Sequence, residues 1–371
     1  MKEIKIYLQY PWQFPDSPYY KYLINNHLPE IEYLNVKKQK GVILNKKIFL
    51  ISNFLKNVIR YFIMNLLHLS FPNAHLTKTK EEYDLIQCAH CLSKNKDKPW
   101  VIDIESRWQL YIGDLYIEDR RKQTKNRIRK ILLRENCKKI MPWTQATADG
   151  IIKEFPEIKS KVEVVYPAIP FPEIKRKKHD GINLVFSGRY FYQKGGLHAL
   201  KVIDKLTRKY KNVKAIFISD IPKKIYDKYE KNEKIKFYNL MPQKQLFEEI
   251  YPISDILIYP GYSDSFGFAF LEVMSFGISI ITVDGFARKE IIDEGKTGFI
   301  INKSEEINPM IIGPKEDELI NEIIKKSEKL IKNPILRKKM SKNCIEIIKR
   351  GKFSIEERNK KLKRIYKEAL K

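Results

Sequence analysis

Two stretches of the chain gather residue types that hold anions and hydroxyl groups. The first reads Ser187-Gly188-Arg189-Tyr190-Phe191-Tyr192-Gln193-Lys194-Gly195-Gly196. Gly188 permits a tight turn, Arg189 offers a two-pronged fork for phosphate oxygens, and Lys194 adds a point charge. Gly195 and Gly196 open a helix whose free N–H groups attract negative charge. The second stretch reads Asp264-Ser265-Phe266-Gly267-Phe268-Ala269-Phe270-Leu271-Glu272, then Val273-Met274-Ser275-Phe276-Gly277. If Phe266 opens a helix, Asp264 lies in the loop before it and Glu272 about two turns along, so the two acids reach different ends of one ligand. An N-capping Asp264 and a solvated Glu272 are the plain alternative. Against it, Glu272 lies among Phe268, Leu271 and Met274, where an unpartnered carboxylate is costly.

The surrounding text alternates short apolar runs with longer helical patterns, the mark of parallel α/β structure. Strands are predicted at Ile4–Gln9, Ile31–Val36, Tyr83–His90, Trp100–Glu105, Lys139–Trp143 and Val162–Tyr166. Thr144 is the predicted N-cap of a helix over Gln145–Phe155. Between Pro167 and Asp180 three prolines and a basic run break regular structure. A second series follows, with strands near Asn183–Ser187, Val213–Ser219, Ile235–Asn239, Ile256–Tyr259 and Ser279–Val283. From Ile331 onward the sequence reads as two or three Lys-rich helices. The first cluster therefore sits where the second series' first strand runs into its first helix, the edge at which open α/β sheets bind ligands.

The chain has 371 residues, enough for two ordinary domains, and 43% apolar and 12% aromatic content to fill them. Its formal charge is +26, spread evenly: residues 1–180 carry 33 Lys and Arg against 20 Asp and Glu, and the rest 38 against 25, so each part is +13. That spread suits anionic ligands, acidic lipid or nucleic acid, and fits equally a Lys- and Ile-rich compositional bias. Cys88, Cys91, Cys137 and Cys344 are too few and scattered for a disulfide framework and fit a reducing cytoplasm. Cys88-Ala89-His90-Cys91 resembles half a zinc site. It has no second ligand pair at metal spacing, so a buried strand end is expected and no metal. The first residues alternate like a strand and lack the apolar core of an export signal. Ile48–Phe71 is the most apolar long segment, but Lys56 and Arg60 interrupt it. It is expected to pack as a helix on a sheet, with a membrane-surface helix as the alternative.

Residues 183–301 resemble the donor-binding domain of glycosyltransferase family four: a strand ending in Gly188-Arg189, then Lys194-Gly195, the acids Asp264 and Glu272 with seven residues between them, Gly277, and the closing Gly295-Lys296-Thr297-Gly298-Phe299. The resemblance implies a GT-B fold, two Rossmann-like domains facing a cleft. Residues 1–168 would form the acceptor-side domain, 169–180 a linker, 181–350 the nucleotide-sugar domain, and 351–371 a helix crossing back to the first. It further implies sugar transfer from a nucleotide-sugar donor, usually with retention of configuration and without a metal or other cofactor. Arg189 and Lys194 would stabilise the leaving phosphate. Asp264, Ser265, Phe266, Gly267 and Phe268 would face the sugar and diphosphate, with Gly188 and Gly195 shaping the loop and Glu272 accepting from ribose hydroxyls. The family commonly has Glu where Asp264 stands, one methylene longer. Its N-terminal loop often carries glycines, where this chain reads from Gln9 to Tyr20 without one. A histidine often follows a middle strand of the first domain, and Glu105 is the nearest equivalent here.

The acceptor is expected to be a lipid-linked or other glycan, and the protein to be cytoplasmic and peripheral at the inner face of the membrane, through Lys56, Arg60 and the Arg120–Lys130 run. Two rivals stand beside this reading. Nucleotide-sugar epimerases share the architecture, although the paired acids favour transfer. A non-enzymatic nucleic-acid binder would use the charge and the Arg120–Lys139 run, but Ile128, Ile131, Leu132 and Leu133 make that run an amphipathic surface helix, so no nucleic-acid partner is expected.

Overall fold

The computed structural model describes residues 3–10, 18–36, 58, 69–113, 118–263 and 266–371. They form two compact units, Met1–Ala168 with Ile355–Lys371, and Ile169–Ser354.

In the first unit five parallel strands, β1 (Ile4–Gln9), β2 (Ile31–Leu34), β3 (Leu85–Ala89), β4 (Trp100–Ile104) and β5 (Cys137–Pro142), lie in the order β2-β1-β3-β4-β5. Every residue of β3 and β4 is buried, as befits strands covered on both faces. Among the described residues the first segment of this unit carries α1 (Pro18–Asn25), α2 (Glu118–Leu132) and α3 (Gln145–Glu154). Thr144 caps α3, its hydroxyl accepting from the Thr147 N–H at 3.0 Å.

One expectation needs correction, and a second only at its C-terminal end. Val162–Tyr166 makes one bridge, Ile140 to Val162, and hydrogen bonds from the Glu163 and Val165 N–H groups, but no strand. Pro142 at the end of β5 has no N–H to return, so the ladder stays one-sided. The predicted helix over Ile48–Phe71 lies, with Lys56 and Arg60, outside the described residues except at Val58 and its last three positions. There Ser70–Pro72 is a short strand antiparallel to Tyr111–Gly113. Pro72 disfavours helical geometry at the residue before it. Among the described residues no helix is long and apolar enough to cross a membrane.

The second unit is a sheet of six parallel strands, β6 (Ile182–Ser187), β7 (Val213–Ile218), β8 (Ile235–Tyr238), β9 (Ile256–Ile258), β10 (Ser279–Val283) and β11 (Gly298–Ile301), in the order β8-β7-β6-β9-β10-β11. Numbered from its own first strand this is the 3-2-1-4-5-6 Rossmann order, whose ligand crevice lies where the order reverses, between β6 and β9. The unit's helices include α4 (Gly196–Lys209), α5 (Lys223–Tyr229), α6 (Phe268–Ser275), the single turn α7 (Arg288–Ile291), α8 (Pro314–Lys332) and α9 (Pro334–Lys349), besides the short turn Gln243–Gln245. Phe186 of β6 stacks on Phe217 of β7 with centroids 4.5 Å apart.

The last helix, α10 (Ile355–Ala369), belongs to the first unit although the second precedes it in the chain. Its Arg358 and Asn359 side chains donate to the Asn26 carbonyl at 3.0 and 2.7 Å. The Tyr366 hydroxyl lies 2.9 Å from that of Tyr33 and donates to Gln87 Oε1 inside β3. Gln87 Nε2 in turn donates to Asp103 Oδ2 at 2.7 Å, and Tyr20 donates to Oδ1.

Burial holds the Asp103 carboxyl well above its ordinary range, at about 7. Because the folded state keeps the proton that the unfolded state gives up near pH 4, this contribution is fully present below that pH and lost as pH rises through about 7, a swing of about 4 kcal/mol. His90, also buried, is depressed to about 3 and acts in the opposite sense at acid pH. Comparison with Asp103→Asn isolates the carboxyl. The variant should gain on the wild type between pH 5 and pH 8 in urea unfolding, and an unchanged difference would mean that Asp103 ionises normally.

Candidate functional site

The first cluster forms the turn between β6 and α4. Gly188 donates its N–H to the Ile218 carbonyl at 3.0 Å, and its own carbonyl accepts from the Ser219 hydroxyl at 2.7 Å, which ties the turn to the end of β7. The Phe191 N–H donates to Asp220 Oδ1 at 3.1 Å and its ring is buried, so the turn is pinned at its middle. Arg189 is exposed and Lys194 half-buried. Gly195 precedes α4 at φ +75°, where a Cβ would stand 2.7 Å from Pro260 Cβ and 2.9 Å from the Gly261 nitrogen. That closeness explains the glycine: the loop after β9 passes directly against it.

The first cluster is tied through its backbone to the residues just before the second. Gly261 donates to the Lys194 carbonyl at 3.0 Å and Tyr262 to the Gln193 carbonyl at 2.7 Å. The Lys194 ammonium donates to the Ser263 carbonyl. The arrangement thus brings Arg189, Lys194 and residues 261–263, which lead to the second cluster, to one edge of the sheet, at the β6/β9 reversal.

Asp264 and Ser265 lie outside the described residues. Phe266 is buried, its ring 5.2 Å from that of Phe268 and 6.3 Å from that of Phe353. The helix begins at Phe268 rather than at Phe266, because Gly267 precedes it at φ +94°, a left-handed conformation that helical residues do not adopt. Glu272 is accordingly little more than one turn into α6. It is buried rather than solvated, and Gln243 Nε2 donates to its Oε1 at 2.5 Å.

Three residues that sequence reading passed over complete the edge. Gln243, which opens the short helix Gln243–Gln245 after β8, holds Glu272. His198 on α4 is fully buried, with Nδ1 2.6 Å from the Tyr262 hydroxyl and Nε2 2.8 Å from the Ile311 carbonyl, and burial lowers its pKa. Arg288, also buried, reaches the Gly261 carbonyl. A lone His inside a helix and a lone Arg in a turn carry no spacing that marks them.

In the first unit Glu105 directly follows β4, half-buried. Its N–H donates to Gln109 Oε1 at 3.0 Å and its carbonyl accepts from the Thr147 hydroxyl at 2.8 Å, so the residue is fixed by backbone contacts on both sides. Of the loop from Gln9 to Tyr20, residues 11–17 lie outside the described residues. Cys88 and Cys91 are buried thiols, as are Cys137 and Cys344. Among the described residues no group of three or more His, Cys, Asp or Glu could hold a metal ion.

Two doubly wound units, the second with a basic turn at its reversal point, are the parts of a GT-B fold. Residues 170–346 match the family of glycosyl transferases group 1, so the chain carries a glycosyltransferase domain. An uncharacterized 41.2 kDa protein in the cps region of Klebsiella pneumoniae is 27% identical over 240 residues, 60% of this chain and 58% of that protein. The match therefore spans less than two thirds of that relative's length. Among solved structures, a glycosyltransferase from Rickettsia africae superimposes with a TM-score of 0.63 at 13% identity, covering 100% of this chain and 99% of that one. HepE of Anabaena, solved in complex with UDP, gives 0.57 at 13%, covering 99% and 100%. At this identity the likeness establishes the GT-B fold.

Proposed function

We propose that the protein transfers a sugar from a nucleotide-diphosphate donor to a glycan or lipid-linked acceptor, with retention of anomeric configuration. The observation that carries this reading is the backbone pairing of Gln193 and Lys194 with Gly261 and Tyr262, since it unites a basic turn with the loop that leads into α6. As the bond to the diphosphate breaks, negative charge grows on the leaving oxygens, and Arg189 and Lys194 are the preorganised cations for it. Asp264 and Ser265 are assigned to the sugar, the N–H groups of Gly267 and Phe268 at the start of α6 to the diphosphate, and Glu272 to the ribose. The departing phosphate takes the acceptor's proton, and Glu105 is the candidate acceptor-side group. No metal or other cofactor is required by this scheme.

UDP-, GDP- and ADP-sugars tested for thermal stabilisation decide the donor. A true donor at roughly 100 times Kd adds about 2.7 kcal/mol, or roughly 5–10 °C for a unit of this size. No stabilisation by any of them would reject the reading. Conversion of the donor sugar without an acceptor would mark the epimerase instead, and polynucleotide binding without donor binding the nucleic-acid rival. The even positive charge supports an acidic membrane as the acceptor's setting, which equal sedimentation with acidic and neutral vesicles would refute.

A further inference from the structure

Arg288 lies outside both clusters, yet its guanidinium is buried at 1% exposure beside them. Nη1 donates to the Val283 carbonyl at the end of β10, at 2.9 Å, and Nη2 to the Gly261 carbonyl in the loop after β9, at 2.5 Å. One side chain therefore staples the ends of two adjacent strands. The peptide it holds continues the linkage: the Gly261 N–H donates to the Lys194 carbonyl at 3.0 Å, and the next N–H, of Tyr262, to that of Gln193. The guanidinium carbon also lies 5.8 Å from the centroid of Phe270 in the first turn of α6 and 5.6 Å from that of Phe286, at cation–π range. Arg288 thus touches the loop after β9 and the helix carrying Glu272, and through one peptide fixes the loop carrying Lys194.

From these contacts we infer that Arg288 is a positioning residue of the nucleotide site, setting the placement of Lys194 and α6 without touching the ligand. The inference rests on the proposed function. A forked donor is required because two carbonyls on different strands must be held at once; lysine reaches one, and a neutral side chain neither.

The test measures UDP affinity by calorimetry for the whole protein, with GDP and ADP in parallel, and the unliganded melting midpoint of each variant. Arg288→Lys, which keeps the charge and most of the volume, should fold with a midpoint near the wild type and bind UDP on the order of 10-fold more weakly. Combined with Lys194→Ala, it should add less than the loss it causes alone, because part of its effect runs through that residue's placement. Wild-type affinity in Arg288→Lys, or losses that multiply in full in the double variant, would overturn the inference alone. Failure of the wild-type protein to bind any of the three nucleotides would remove the functional reading and this inference together.

Discussion

Lys194→Ala should lower turnover by about 100-fold or more while leaving the fold nearly intact. The two effects separate because the residue plays two parts through different atoms. Its carbonyl, which receives the Gly261 N–H, keeps the two loops together and survives the substitution. Its ammonium, bonded to the Ser263 carbonyl just before the second cluster, is the charge that the substitution removes. The stability cost is then that of one charged hydrogen bond, about 2 kcal/mol. Initial rates with the donor identified by thermal stabilisation, set beside the melting midpoint, check both parts. Turnover equal to the wild type would remove Lys194 from the phosphate site.

Glu272→Gln is expected to weaken donor binding by roughly 1.5 to 3 kcal/mol, the range for a hydrogen bond to a charged acceptor. The burial of Glu272 sharpens the expectation. A carboxylate this enclosed needs donors, and Gln243 supplies one to Oε1. If ribose hydroxyls supply others, the variant loses affinity with a small change in the unliganded midpoint. If Glu272 only anchors the short helix after β8, the pattern inverts: the midpoint falls and donor affinity holds. Calorimetric titration with UDP and a melting curve distinguish the two.

Much of this arrangement is legible in the sequence because the strands of a doubly wound sheet are short apolar runs with both faces covered. Val213 to Ile218 and Trp100 to Ile104 announce themselves in this way. Gly188 and Gly195 are equally plain, since each marks a turn or close approach that a side chain would block. The short pairing of Ser70–Pro72 with Tyr111–Gly113 is not legible: three residues are too few for a period, and the partners lie far apart in the chain. The start of α6 was misplaced by two residues because Phe266 looks like the beginning of the apolar run, whereas the left-handed Gly267 breaks it. Arg288 and Gln243 escaped for a further reason. Their roles depend on carbonyls and carboxylates delivered by other strands, and such meetings follow from sheet order rather than from neighbouring letters.

The attachment of α10 to the first unit bears on how the protein emerges from the ribosome. Residues 169–354 form the second unit from one continuous stretch, so it has all its parts as soon as that stretch is out. The first unit does not. Once residue 168 has been made, its sheet must wait for some two hundred further residues, roughly 10 to 40 s at ordinary elongation rates, before Leu362, Ile365 and Tyr366 arrive to be buried. Over that interval the polar groups of Gln87 and Tyr33 lack the tyrosine that later joins them. The earlier-made half is therefore the later to mature, and nascent chains stalled before residue 355 should be the species that chaperones hold.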